Sequence, residues 1–391
     1  MDEFRAWARA ELTARLRPRR DDSRATVLGA GSDDLLSAGR AYLEALAGSG
    51  LAVPSWPKEY GGLAASPAEV GVVRAELAAF DVPDLYAYLV GLELVGPTVL
   101  AHGTPEQCAR WLPKIATGEE VWCQLFSEPG AGSDLAGLST RALQQGDMWS
   151  VRGQKVWTSR GAYAKWGLLL ARHDTSVRKH AGITAFGLDM QATGVDVRPL
   201  RQMNGDAHFS EVFLDDALAP DTDRIGATGE GWRVALTCLS YERGAVTAGG
   251  GSGMLDVDNL IVLARARGRA SEPVVRDALA RLFIESRVMS FTARRARDTA
   301  RAGRPGPEGS GLKLRGSKMF RDYSALALAL LGPAGACDPD RDLQTLFLTA
   351  PSLSIRGGTD EIQRNIVGER VLGLPEEPRV DREPPFEQLP R

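Results

Sequence analysis

Along the N-terminal stretch apolar residues recur at spacings of three and four. Phe4, Trp7, Ala8 and Leu12 make one stripe and Val73, Leu77 and Phe80 another, which predicts an all-α domain over residues 1–117 whose helices each bury one face. From Gly118 the period changes. Val121–Phe126, Trp149–Trp157, Trp166–Arg172, Ile183–Leu188 and Val195–Arg198 are short runs rich in β-branched and aromatic residues, broken by Gly, Asp or Asn, and they predict a β-barrel or sandwich domain over residues 118–226. After Gly231 the helical period returns. Trp232–Gly249, Val274–Arg301, Leu312–Leu331 and Glu361–Leu372 predict a four-helix bundle over residues 227–391, with Ala302–Gly311 as a Gly/Pro joint and an extended Pro-rich tail after Pro375.

Composition narrows the function classes. The chain has 391 residues, 43% apolar and 25% charged, long enough for more than one core. Its 47 Lys and Arg against 50 Asp and Glu leave a net charge of −3 and no basic stripe, so no nucleic-acid partner is expected. No apolar run reaches the roughly 18 residues of a membrane helix, and the acidic start Met1-Asp2-Glu3 does not read as a secretory signal. Cys108, Cys123, Cys238 and Cys337 lack paired spacing, and His102, His173, His180 and His208 form no ligand pattern with them. These features predict a reduced, metal-free cytoplasmic protein.

Two stretches carry candidate chemistry. In Gln124-Leu-Phe-Ser-Glu-Pro-Gly-Ala-Gly-Ser-Asp134 a strand-like run meets a Pro-Gly turn, and Gly130 and Gly132 permit the close backbone approach a large planar or anionic ligand requires. In Lys155-Val-Trp-Thr-Ser159 an indole stands beside the hydroxyls of Thr158 and Ser159, suited to cover an aromatic ring and bond its edge. Taken singly, the first is a turn and the second a core tryptophan. A Gly-x-Gly in Val27–Asp34 lacks a third glycine and any βαβ setting and reads as a loop; Ser55–Gly62 reads as a structural turn. Glu242 shares a helix face with Ala235, Cys238, Leu239 and Val246, and a carboxylate on such a stripe is either ion-paired or functional.

Phe126–Asp134 and Trp157–Ser159 together resemble the flavin-contacting segments of the acyl-CoA dehydrogenase family. The resemblance continues through Arg198-Pro-Leu200, Gly229-Glu-Gly-Trp232, Tyr241-Glu-Arg243, Gly357-Gly-Thr-Asp-Glu-Ile-Gln-Arg364 and Glu369–Pro375, so it covers residues from about 50 to 376. It implies an acyl-CoA dehydrogenase-like fold and FAD as cofactor. Phe126, Ser127, Gly132 and Ser133 then line the flavin or the thioester, with Trp157, Thr158 and Ser159 beside the ring, Thr359 and Glu361 at the adenine half, and Arg243 on the CoA side. Arg267, Gly332 and Gly335 would touch FAD held mainly by a neighbouring subunit, which implies a homodimer or homotetramer. Family members carry the catalytic base either directly before the Gly-Thr of the C-terminal motif, where this chain has Gly357, or on the first helix of the bundle, at the place of Glu242, as in isovaleryl- and long-chain-type members. Glu242 is therefore the expected base, and Gly357 leaves room for a branched, long or ring-bearing acyl group. Asp277 and Arg356 depart from the family pattern, where a glutamine and an aromatic are usual.

Three functions follow from the resemblance. The first is α,β-dehydrogenation of an acyl-CoA with electrons passed to an electron-transfer flavoprotein. The second is an acyl-CoA oxidase or monooxygenase on the same fold; the third is a non-catalytic partner subunit in a hetero-oligomer.

Overall fold

A computed structural model describes residues 1–19, 33–247, 256–301, 308–337 and 342–389. The chain forms two compact units, Met1–Arg201 with Asp206–Tyr241 and Arg379–Arg391 in one, Gln202–Gly205 with Glu242–Pro378 in the other. The Gly-x-Gly stretch at 27–32 and the joint at 302–307 lie outside the described residues.

The first unit opens with helices α1 (Asp2–Arg15), α2 (Asp33–Ala47) and α3 (Pro67–Leu77). Their starts follow local chemistry: Ser66 accepts from the Glu69 N–H while Glu69 reaches back, a capping box with Pro67 in the first turn. On α1 the buried positions are Ala8 and Leu12, four apart, while Trp7 remains exposed. A continuous helical run follows, α4 (Tyr86–Leu89), a π-helical stretch Val90–Val95 and α5 (Gly96–His102), and then α6 (Pro105–Ala116), again started by a capping box from Thr104 and Gln107.

Strands β1 (Trp122–Leu125), β2 (Arg141–Gln145), β3 (Met148–Ser159), β4 (Trp166–Arg172), β5 (Ile183–Asp189), β6 (Val195–Leu200), β7 (Phe209–Pro220) and β8 (Arg224–Ile225) form one sheet in the order β6-β7-β3-β2-β4-β5-β8, with β1 parallel to β4. The middle domain is thus a β domain, as the short β-branched and aromatic runs predict, built as one sheet of mainly antiparallel strands. Every residue of β4 is buried, which explains its unbroken apolar run Trp166–Ala171. Sequence pattern alone misses β2, β7 and β8. β2 is exposed except at Ala142, and Asp215-Asp216 interrupts the apolar alternation of β7. Trp111, Trp122 and Trp166 meet with ring centroids 5.2–5.8 Å apart, fastening α6 to β1 and β4.

Helix α7 (Gly231–Thr247) leads toward the second unit, which holds α8 (Val257–Ala266), α9 (Pro273–Arg301), α10 (Glu308–Leu331), α11 (Asp342–Thr349) and α12 (Asp360–Arg370). Their core gathers Leu260, Leu279, Leu282, Phe320, Tyr323, Ala327 and Leu346. α8 and α11 are absent from the sequence reading, although Val257, Leu260 and Ala264 carry the three-and-four spacing and Asp256 caps the α8 N-terminus. α10 begins at Glu308, four residues before the expected start. The extended tail also does not stay throughout with the expected 227–391 domain. Residues 379–391 belong to the first unit, because Phe386 N–H donates to Val177 O at 2.9 Å and Glu387 N–H to Thr175 O at 3.0 Å, and Phe386 is buried.

No described helix is long and apolar enough to cross a membrane. Among the described residues no His, Cys, Asp and Glu are grouped to hold a metal ion.

Candidate active site

In the first unit, the two stretches singled out in the sequence are bonded directly to each other. Val156 N–H donates to Ser127 O at 2.9 Å, and the Lys155 ammonium donates to Phe126 O at 3.1 Å and Glu128 Oε1 at 2.8 Å. Lys155 is fully buried and Glu128 nearly so. Glu128 also accepts from the N–H groups of Ser139 at 2.6 Å and Thr140 at 3.0 Å, so one carboxylate closes the loop 128–140 at both ends. Burial alone would push Glu128 up; Lys155 and these hydrogen bonds outweigh it and hold the carboxyl below its ordinary range. Burial pushes Lys155 down, with Glu128 opposing.

Within that loop Glu128 and Ala131 exchange backbone hydrogen bonds of 3.0 Å around Pro129-Gly130, and Gly132, Ser133 and Asp134 stand exposed. Among the described residues, adjacent ones aside, no heavy atom lies within 4 Å of a Cβ built on Gly130 or Gly132, so the apex presents open backbone. Phe126 is buried beneath it and Ser127 is half-buried.

On β3 the pairing with β7 slips between Lys155↔Val212 and Thr158↔Ser210, a bulge of one extra residue. Trp157 occupies it with φ 60° and is 61% exposed. A bulky aromatic in the left-handed region costs about 1–3 kcal/mol, a strain the surrounding sheet must sustain. Arg160, at φ 59°, repeats the conformation three residues on, its N–H bonded to His208 O at 2.7 Å and its guanidinium 4.6 Å from the Tyr86 ring. The bulge sends Trp157 outward and Thr158 inward. Thr158 is fully buried and its hydroxyl has no protein partner among the described residues, so its side chain does not join the exposed face expected for it, whereas half-buried Ser159 is accessible. Lys155, Glu128 and Arg160 are site residues the sequence reading did not assign. The available signal was a glutamate just past the apolar run Leu125-Phe126 and a lysine inside the strand run Trp149–Trp157.

Cys238 on α7 lies 3.6 Å from Gln124 Nε2, and Glu242 follows one helical turn later. In the second unit Gly357, φ 68°, faces that carboxylate: a Cβ built on Gly357 would stand 3.7 Å from Glu242 Oε1. Gln363 Nε2 donates to Gly357 O at 3.0 Å and fixes the turn. Thr359 caps α12, its hydroxyl accepting from Ile362 N–H at 3.2 Å, and exposed Glu361 pairs with Arg364 at 3.3 Å. Arg267 ends α8 and is exposed. Gly332 opens a short 3-10 turn, in which buried Gly335 accepts a hydrogen bond from Gln344. Arg269, two residues after Arg267, donates to Ala329 O near the end of α10, which holds the 267 and 332 regions together. Arg243 lies on α7, but its side chain is outside the described residues.

The donor set fits a flavin. An outward indole, a half-buried hydroxyl and open glycine backbone are what a planar ring with a polar edge requires. Comparison with known proteins agrees: residues 2–119, 123–217 and 229–372 match the N-terminal, middle and C-terminal domains of acyl-CoA dehydrogenase. The chain belongs to the acyl-CoA dehydrogenase family of oxidoreductases, whose members are flavoproteins. It is 40% identical over 342 residues to acyl-CoA dehydrogenase IpdE1 of Mycobacterium tuberculosis, covering 86% of this chain and 88% of the relative. It is 42% identical over 334 residues to acyl-CoA dehydrogenase FadE34 of the same organism, covering 85% of this chain and 46% of the relative. Among solved structures, the Tcur3481-Tcur3483 steroid ACAD aligns with a TM-score of 0.78 at 27% identity over 96% of this chain and 98% of that one.

Proposed function

We propose that this chain oxidises an acyl-CoA thioester between its α and β carbons, with Glu242 as the base and FAD as the electron acceptor. The observation that carries the reading is the meeting of Gly357 and Glu242, 3.7 Å from a built Cβ to Oε1. Two positions far apart in sequence, each expected to bear a base in one branch of the family, share one place here, and one of them holds a carboxylate. Glu242 receives the α-proton on a carboxylate oxygen, which leaves the substrate's electron pair free to form the new double bond. Bound FAD would supply the acceptor for a hydride from the β carbon. The substrate thus loses one proton and one hydride and departs as the 2-enoyl thioester.

Phe126, Ser127, Gly132 and Ser133 line the flavin or the thioester, Trp157 covers the ring face, and Ser159 offers a hydroxyl at its edge. Thr158 contributes through its backbone, since its side chain points inward. Arg243 and Thr359 with Glu361 meet the CoA and the adenine half of FAD, respectively. Arg267, Gly332 and Gly335 reach FAD of a neighbouring subunit in a homodimer or homotetramer. A hetero-oligomer is the second assembly reading, supported by a relative of which this chain spans 46% and by a structural neighbour whose name joins two components. The missing side chain at Gly357 admits a bulky acyl group, and the steroid designation of that neighbour supports a ring-bearing thioester. Cys108, Cys123, Cys238 and Cys337 are free thiols, as a reducing cytoplasm allows, and an electron-transfer flavoprotein is the proposed acceptor.

Anaerobic titration of the purified protein with saturated acyl-CoAs, short, long and ring-bearing, tests the reading. One class is expected to bleach the visible flavin absorbance. Glu242→Gln should keep the flavin and lose about 10²–10⁴-fold in rate. Flavin that no thioester bleaches would replace this reading with the non-catalytic subunit, and turnover in air without added acceptor would replace the electron-transfer flavoprotein by oxygen.

A further inference from the structure

The loop apex at 130–134 has little protein around it, yet one side chain ties it down. Lys179 Nζ donates to Asp134 Oδ1 at 2.8 Å, and the same ammonium donates to Asp381 of the C-terminal tail. Lys179 is 5% exposed; burial would push it down, and the two carboxylates outweigh that and hold it up, so the bridge is ionic at neutral pH. Behind the apex, the Arg172 guanidinium donates to Ala136 O at 2.6 Å, Leu138 O at 3.0 Å and Lys179 O at 2.9 Å. The ring of Phe386, also from the tail, lies over that guanidinium at 3.5 Å. Backbone bonds from Phe386 and Glu387 to Val177 and Thr175, with an Arg178–Glu383 ion pair of 2.6 Å, lay the tail along the 174–180 segment. Both cations that hold residues 134–138 are therefore themselves covered by the tail.

From this geometry we infer that residues 379–389 act as a strap, in which Asp381 and Phe386 are positioning residues that hold the Ser133-Asp134 loop, through Lys179 and Arg172, in the conformation that grips the flavin. The inference rests on the proposed flavin role of that loop. A tail serving stability alone would move the melting temperature and nothing else; a strap also changes the loop's opening rate and the ligand's escape.

The test uses the full-length holoprotein and the variants Asp381→Asn, Phe386→Ala and Asp381→Glu. Hydrogen exchange of the 130–138 amides and release of FAD, followed by its fluorescence on dilution, are compared at one temperature well below unfolding. Asp381→Asn and Phe386→Ala are expected to exchange faster in 130–138 and to release FAD ~5–10-fold faster, with Asp381→Glu near wild type. A lowered melting temperature with unchanged exchange and FAD release would overturn the strap, as would faster exchange with FAD release unaltered. If the wild-type protein binds no FAD, the proposed function fails, while the exchange comparison alone still decides whether the tail holds the loop.

Discussion

Gly357 adopts φ 68°, a conformation that costs an L-residue on the order of 1–2 kcal/mol, and among the described residues, adjacent ones aside, Glu242 Oε1 is the one neighbour within 4 Å of its absent Cβ. Gly357→Ala should therefore fold at a modest cost, its methyl in ordinary van der Waals contact with the carboxylate and filling space beside it. Rates with ring-bearing or long thioesters are expected to fall more than the rate with butyryl-CoA; equal losses in a substrate panel would show that position 357 does not shape the acyl site. Trp157 makes the complementary case. Its side chain is exposed and its backbone strained, so Trp157→Gly should stabilise the flavin-free protein by about 1 kcal/mol while weakening flavin retention. Calorimetry of the apoprotein and FAD release measure the two effects, and a loss of stability would mean that the indole packs as core. The sequence made Glu242 and Trp157 legible as candidates because each stands out locally, a carboxylate on an apolar face and an indole beside two hydroxyls. It did not show that Trp157 turns outward and Thr158 inward, because a one-residue bulge reverses alternation and leaves no mark in composition.

At the scale of elements, one buried ion pair joins the segment after β1 to β3, and its carboxylate also closes the loop that leads from β1 to β2. Lys155→Met would strand the Glu128 carboxylate in apolar surroundings, and a loss of roughly 3–5 kcal/mol is expected in denaturant unfolding. The pH dependence has a definite sign. Glu128 is depressed in the folded protein, so its stabilisation is fully present above the unfolded carboxylate value, about 4.3, and is lost as pH falls through the lower native value. Unfolding midpoints of wild type should drop through that acid window, and Glu128→Gln, already weaker, should drop less. The strands β4 and β5 were legible within a residue because both faces are covered and the runs Trp166–Ala171 and Ala185–Leu188 are unbroken by a charged or polar side chain. β2 was not, since its exposure removes the alternation that periodicity detects, nor was β7, where Asp215-Asp216 interrupts that alternation.

The whole molecule raises the question of assembly. Arg267, Gly332 and Gly335 belong to the second unit, at the ends of α8 and α10, with Arg267 and Gly332 exposed at its surface. If they serve a neighbouring subunit's FAD, retention must depend on subunit concentration: dilution should release FAD from wild type, and Arg267→Ala should shift that release to higher protein concentration. Fluorescence at several dilutions reads this, and release independent of concentration would confine the cofactor to one subunit. By itself the sequence determined the class: helical period, then strand period, then helical period, with motifs in order, since local periodicity records which face of each element is buried. Only the tertiary structure decided that Glu128 pairs with Lys155, that Gly357 faces Glu242, and that the tail returns to cover Lys179 and Arg172. Those partners are separated by 27, 115 and some 200 residues, and no local preference encodes which distant side chain will fill a given charge or space.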